Sequence, residues 1–220
     1  MSVAMSTYTN NNARSTATNN NNNNKPYMLK IPVQKRSRET VASIVESCAR
    51  LLVQEPYNAI TTDKIAEMAG VSIGSLYQFF ANKEAIVAAV IDDLLQQDLV
   101  YIEENLAKMH ATDLDSKVHA FIDIGFARFQ DNRPLRSALQ GVQGMLDYWD
   151  TRRVFFEHYK KAVLAHMPTV PGRDADMMAL FIVSCFNNIL QLALSGPQTR
   201  EHEEAIKKEV FLLIRRYLNP

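Results

Sequence analysis

Residues Thr61 to Lys83, TTDKIAEMAGVSIGSLYQFFANK, carry the residue types and spacing from which a chemistry can be read. Ser72, Ile73, Gly74 and Ser75 form a run of mostly small side chains at the start of a predicted helix. Small side chains let a helix end approach a groove closely, and its unpaired backbone N–H groups favour phosphate. Tyr77 and Lys83 are of the type that reaches a nucleic-acid backbone from the flanks. The chemistry is therefore non-covalent contact with DNA. It needs two short helices crossing through a tight turn, with the second exposed at its N-terminus. Ala66 is small where the helices would touch, Gly70 can take the left-handed turn conformation, and Val71 plugs the space beneath. Ile65 and Leu76 supply the core side of each helix.

Covalent chemistry has little to stand on. The five histidines, His110, His119, His158, His166 and His202, form no metal-binding helical pair, and no nucleophile elbow or phosphate-cradling glycine loop is present. Asp92–Asp93 and Glu103–Glu104 are adjacent, so their side chains diverge on a helix and read as solvated faces. No catalytic residue, metal or cofactor is expected, and an enzyme is disfavoured.

The elements that must position the segment read as helix throughout. The first helix spans about Lys35 to Glu55, with Val41, Ile44, Val45, Cys48, Leu51 and Leu52 at helical spacing, and Pro56 stops it. Thr62 can cap a second helix, Asp63 to about Met68, and Ser72 a third reaching about Phe80. Asn82 caps a long fourth helix to about Leu106, striped by Val87, Ile91, Leu95, Leu99, Ile102 and Leu106. Further helices follow from about Asp113 to Gln130, from Pro134, through Met145, Trp149, Phe156 and Val163, from Asp174, and from about Thr199 to Leu218. The fold class is all-α, with about nine helices and no sheet. The apolar character of Met177–Leu194 nearly all round predicts burial on most sides.

Composition narrows the function classes. The 220 residues hold 24 Lys plus Arg and 24 Asp plus Glu, which disfavours a wholly basic nucleic-acid coat protein and a highly charged disordered chain. The balance is uneven: residues 1–91 carry +3 and residues 92–220 carry −3. Arg14, Lys25, Lys30, Lys35, Arg36 and Arg38 all precede the first carboxylate, Glu39, so a basic arm leads into an acidic body. That arm suits an anionic partner, or serves as a solvated tail. Nine Asn among residues 1–24 predict disorder there, and Pro26 and Pro32 keep the next stretch extended. Cys48 and Cys185 lie far apart in apolar segments, which points to a reducing cytosol rather than to disulfides or a thiolate metal cluster. The N-terminus lacks a secretory apolar core, and no uninterrupted apolar run reaches membrane-spanning length, so a cytoplasmic protein without a membrane partner is expected.

The Thr61-Thr62 pair, Ile65-Ala66, Ala69-Gly70-Val71-Ser72, Gly74, Leu76-Tyr77, Phe80 and Lys83 resemble the N-terminal domain of the tetracycline-repressor (TetR) family of bacterial transcription regulators. The resemblance covers about residues 36–95. Pro56 stands where the family usually has a glycine, and the Asn-rich extension is not a general family feature. In the family the third helix reads the major groove. The resemblance therefore implies DNA contacts from Thr62, Ser72, Ile73, Gly74, Ser75, Tyr77, Phe79 and Lys83. Ile73 and Phe79 could touch a thymine methyl or face inward, and Arg36 and Arg38 could contact phosphate or remain solvated.

The resemblance also implies an organisation. Residues 1–34 would be a disordered Asn-rich tail and basic arm, 35–82 a helix-turn-helix domain, and 83–220 a helical effector-binding and dimerisation domain. Phe121, Phe126, Phe129, Met145, Trp149, Phe156 and Asn188 are candidates for an effector pocket, or simply for the core. Phe181, Ser184, Asn187, Gln191, Ile206, Val210, Leu213 and Tyr217 are candidates for a homodimer interface. The expected function is a repressor released from a palindromic double-stranded DNA operator by a small-molecule effector. The alternative is an effector-independent DNA-binding or architectural factor.

Overall fold

A computed structural model describes residues 25, 27–142, 149–197 and 199–219, with backbone only for residues 149–155, 194 and 195. The described residues form nine α-helices and no strand. The first four are α1 (Lys35–Gln54), α2 (Thr62–Ala69), α3 (Ile73–Tyr77) and α4 (Lys83–Ala107). The remaining five are α5 (Leu114–Asp131), α6 (Arg133–Gln140), α7 (Trp149–His166), α8 (Ala175–Ser195) and α9 (Arg200–Leu218). A single 3-10 turn, Tyr57–Ala59, joins α1 to α2.

Helix starts follow local chemistry. Ser72, Asn82, Asp113, Asp174 and Thr199 each accept a hydrogen bond from a backbone N–H in the first turn of the helix that follows. The cap of α2 is Thr61 rather than Thr62: its Oγ1 accepts from Lys64 N at 3.2 Å. Pro56 keeps its ordinary φ of −59° and leads from the extended Glu55 into the 3-10 turn, so the junction closes without a glycine.

Two apolar clusters organise the helices. One gathers Ile44, Cys48, Leu51 and Leu52 of α1, Ile65 and Ala66 of α2, Leu76, Phe79 and Phe80, and the first half of α4 from Ile86 to Leu94. Leu139 and Val142, at the end of α6 and just beyond it, close this cluster from the other half of the chain. The second cluster joins Ile102 and Leu106 of α4 to α5, α7, α8 and α9. Helix α4 thus contributes to both cores and connects them.

Helix α8 is long and apolar enough, by length and composition alone, to cross a membrane. In this fold it packs against α7 and α9, burying Met178, Ala179, Ile182, Val183, Phe186 and Leu190. Within the protomer, burial is confined to the side that meets α7 and α9. Met177, Leu180, Phe181 and Leu192 face outward from the protomer, Phe181 being 48% exposed and Leu192 70%.

The basic arm is partly folded. Lys25 Nζ pairs with Asp92 at 2.7 Å, Tyr27 donates its hydroxyl to the same carboxylate at 2.7 Å, and Leu29 N donates to Phe79 O at 2.8 Å. Asp92 is therefore buried and partnered, not part of a solvated face, and Asp93 beside it is half-buried. Glu103 and Glu104 are exposed as expected. The Asn-rich tail, residues 1–24, lies outside the described residues.

Candidate functional site

The turn between α2 and α3 is built by Gly70, whose φ of 66° and ψ of 30° lie in the left-handed region that an L side chain adopts only with strain. Gly70 N donates to Glu67 O and Val71 N to Ala66 O, which satisfies the last carbonyls of α2. From α1, Ser43 Oγ donates to Ala69 O at 3.0 Å and fixes the end of α2. Ile65, Ala66, Leu76 and Phe80 are buried beneath. The two helices are held from one side only, so the opposite side of α3 is free.

That side carries Ser72, Ile73, Gly74 and Tyr77, all exposed, with Ser75 half-buried. Ser72 Oγ accepts from Ser75 N at 3.1 Å, and the two hydroxyls lie 2.8 Å apart. Thr62 Oγ1 and Tyr77 Oη are 3.0 Å apart, a bond that spans from α2 to α3 and orients the phenol. Because Thr61 caps the helix, the Thr62 hydroxyl is available for this contact. Arg36 and Arg38 are both exposed on the first turn of α1.

Two candidate contact residues are placed elsewhere. Phe79 is only 5% exposed and its ring lies in the first core, because α3 ends at Tyr77 and the following turn aims the ring inward. Lys83 is committed to structure: its Nζ donates to Tyr57 O at 2.9 Å and Ile60 O at 3.0 Å, over the Tyr57 ring. Its ammonium caps the carbonyl end of the 3-10 turn.

A second site lies where the two cores meet. A cavity of about 100 Å³ is bounded by α4, α5, α6, α7 and α8. Phe121, Phe129 and Phe156, candidates for a pocket wall or for the core, line it. Gly125 belongs to its wall, where an added Cβ would collide with the Phe186 ring. Phe126 is corrected to the core: it is buried against Phe186 and does not line the cavity. Asn188 is corrected to the exposed side of α8, donating to Ser184 O, whereas Asn187 and Gln191, expected at an interface, line the cavity. Their positions around α8 separate the two asparagines by one helical step. Met145 lies outside the described residues, and Trp149 is described in backbone only.

Three charged residues at this cavity were not singled out from the sequence. Asp98 of α4 accepts from Arg128 Nε at 2.7 Å and from Arg136 Nη2 at 2.6 Å on both oxygens. Arg128 also reaches Gln97 Oε1 at 3.4 Å, and Asn132, with its amide oxygen turned inward, accepts from the same guanidinium at 2.9 and 3.0 Å. Arg136 lies over the Phe129 ring, and its Nε has no hydrogen-bond partner among the described residues. Burial pushes the nearby Tyr159 phenol well up; Asp98 adds to that rise and the two arginines oppose it. The signal was present: Asp98 interrupts the apolar stripe between Leu94 and Leu99, and Arg128 stands between Phe126 and Phe129. A charge within a buried stripe must find a partner.

Of the interface candidates, Val210 is corrected to the protomer's own core, at 2% exposure. Ile206 and Tyr217 pack partly against that core, and Ser184 is half-buried. Phe181 and Leu213 are exposed, with the Phe181 ring 5.0 Å from that of Tyr217. The resulting outward apolar face runs along α8 and α9.

A helix-turn-helix with its second helix exposed, set on an all-helical body, defines a DNA-binding transcription regulator rather than an enzyme. Residues 44–90 match the family model described as bacterial regulatory proteins, tetR family. The chain is 22% identical over 195 residues to the HTH-type transcriptional regulator YvdT of Bacillus subtilis, covering 84% of this chain and 97% of that one. It is 31% identical over 102 residues to the nucleoid occlusion factor SlmA of Haemophilus ducreyi, covering 46% of this chain and spanning half the length of that relative. A crystal structure of a TetR-family transcriptional regulator from Streptomyces coelicolor superposes with a TM-score of 0.61 at 26% identity, covering 81% of this chain and 97% of that one. Residues 44–90 thus match the DNA-binding domain of the TetR family, and the described chain shares its fold with a TetR-family transcription regulator.

Proposed function

We propose that this regulator is a homodimer that represses from a pseudo-palindromic operator and is released by a small organic ligand bound in the helical body. The observation that carries the DNA part is the exposed face of α3, Ser72, Ile73, Gly74 and Tyr77, above a fully packed helix-turn-helix core. Ser75 and Ile73 are suited to base edges, and Tyr77, Thr62, Arg36 and Arg38 to phosphates. Phe79 and Lys83 act behind that face, as packing and as a structural cation. The exposed apolar residues of α8 and α9, Met177, Leu180, Phe181, Leu192 and Leu213, support pairing of two copies through this face. Two α3 helices would then meet half-sites about one helical turn, or a small multiple, apart.

The cavity supports the release step, because its wall includes α4, which runs into the DNA-binding core, and α6, whose Leu139 closes it. A ligand that prefers one spacing of α4 and α6 shifts the population of DNA-competent dimers. Selection of duplexes from a random pool, followed by hydroxyl-radical footprinting, tests the DNA part. Enrichment of a two-fold symmetric site is the expected result, and failure to enrich any sequence contradicts it. The partial match to a nucleoid occlusion factor favours the second reading, a DNA-binding factor without an effector. A ligand that raises Tm and weakens operator binding decides for the first.

A further inference from the structure

The cavity has a charge imbalance that the ligand-responsive reading does not itself require. Its charged lining among the described residues is Asp98, Arg128 and Arg136, so one positive charge is left over inside an apolar chamber. Arg136 is 7% exposed, and its Nε lacks a partner among the described residues. A buried guanidinium donor without an acceptor is costly, and an anion relieves that cost.

We infer that the cavity binds a small organic carboxylate with an apolar tail, its head group on Arg136. The inference rests on the ligand-responsive reading of the same cavity and names the class of ligand. The head-group geometry is already present inside the protein. The two guanidiniums embrace the Asp98 carboxylate with contacts of 2.6–2.7 Å, so this corner accommodates a planar carboxylate. The rest of the wall is apolar, with Ile91, Leu94, Ile102, Phe121, Phe156 and Val183 facing the tail. A cavity of about 100 Å³ accepts a body of about four to six carbons, on the scale at which about 150 Å³ takes up benzene.

Binding there has a route to the DNA-binding core. The Asp98–Arg136 pair ties α4 to α6, and Leu139 lies one turn beyond Arg136. A ligand carboxylate that shares Arg136 competes with Asp98 and loosens that tie.

The test is calorimetric titration of the full chain with hexanoate, hexanol and hexylamine, which share a tail and differ in head-group charge. Hexanoate should bind at least about tenfold more tightly than hexanol, the advantage of one charge-assisted hydrogen bond, and hexylamine should not bind. Equal binding of hexanol, any binding of hexylamine, or no hexanoate binding at about 10 mM overturns the inference. Arg136→Gln, once far-UV circular dichroism shows it folded, should lose the preference for hexanoate. A folded variant that keeps the preference also overturns it, and the wild-type series decides if the variant does not fold. Operator affinity measured in parallel separates the two readings. Hexanoate binding that leaves DNA affinity unchanged upholds the carboxylate site and removes ligand-responsive release. Release caused by hexanol or hexylamine does the reverse.

Discussion

Replacing Gly74 with Ala separates the fold of α3 from its use. Gly74 sits in the first turn of the five-residue α3. An added Cβ there would meet nothing nearer than Ser72 Oγ at 4.0 Å, so the protomer has room for it. Gly70 is different: its positive φ makes any side chain strained. Gly74→Ala therefore restricts the unfolded chain at no cost to the folded one and should stabilise by about 0.4–1 kcal/mol. In a chain of this size that raises Tm by roughly 1–4 °C. Against DNA the same methyl occupies the space through which the helix approaches a groove. A forced methylene in a close-packed contact costs about 1–3 kcal/mol, or a loss of about 5- to 150-fold per half-site. Thermal melts by circular dichroism and fluorescence anisotropy on an operator duplex measure the two effects. A higher Tm with unchanged DNA affinity would refute the placement of this face in a groove. A lower Tm would refute the local geometry of α3.

Other substitutions test the remaining parts. Lys83→Met removes the ammonium that holds the Tyr57 and Ile60 carbonyls and should cost about 1–3 kcal/mol of stability in denaturant melts. An unchanged melt with weaker binding to random DNA would instead return Lys83 to the phosphate contacts. Leu213→Asp, on the exposed face of α9, should give monomers in sedimentation and largely abolish operator binding; a variant that stays dimeric moves the interface elsewhere. Asp93 has its pKa raised, chiefly by burial, with Asp92 adding to the rise and Gln97 opposing it. A raised folded pKa means stability present below the unfolded value, about 3.9, and lost as pH rises through the folded value. Asp93→Asn should therefore raise Tm at neutral pH and lose that advantage near pH 4, as melts across that range would show.

The helix-turn-helix was legible because its determinants are local. Gly70, the Ser72 cap and the buried Ile65, Ala66 and Leu76 lie within a dozen residues, and each restricts the backbone or one helix face directly. What remained illegible depends on contacts between distant segments. Lys25 meets Asp92 across 67 positions, and Asp98 meets Arg136 across 38. Both carboxylates sit in α4, where the apolar stripe alone does not say which neighbour supplies a cation. Side-chain direction was the second source of error. Asn187 and Asn188 differ by about 100° around α8, enough to place one at the cavity and the other in solvent. Phe79 follows the same rule: ending α3 at Tyr77 instead of near Phe80 turns its ring into the core.

The reading of DNA through α3 is tested most directly by tethered cleavage from Gln78→Cys, exposed just past α3 and outside the contact face, made in a Cys185→Ser background and carrying an iron chelate. Cys48 does not compete for the label, because it is fully buried and burial pushes its thiol up to about 12. The same label at Val100, exposed on α4 within the helical body, serves as the reference. Strand cleavage in two clusters related by the symmetry of the selected site, and absent from the Val100→Cys control, is the predicted result. Cleavage that is absent, unsymmetrical or the same from both labels would contradict the placement of α3 in the groove.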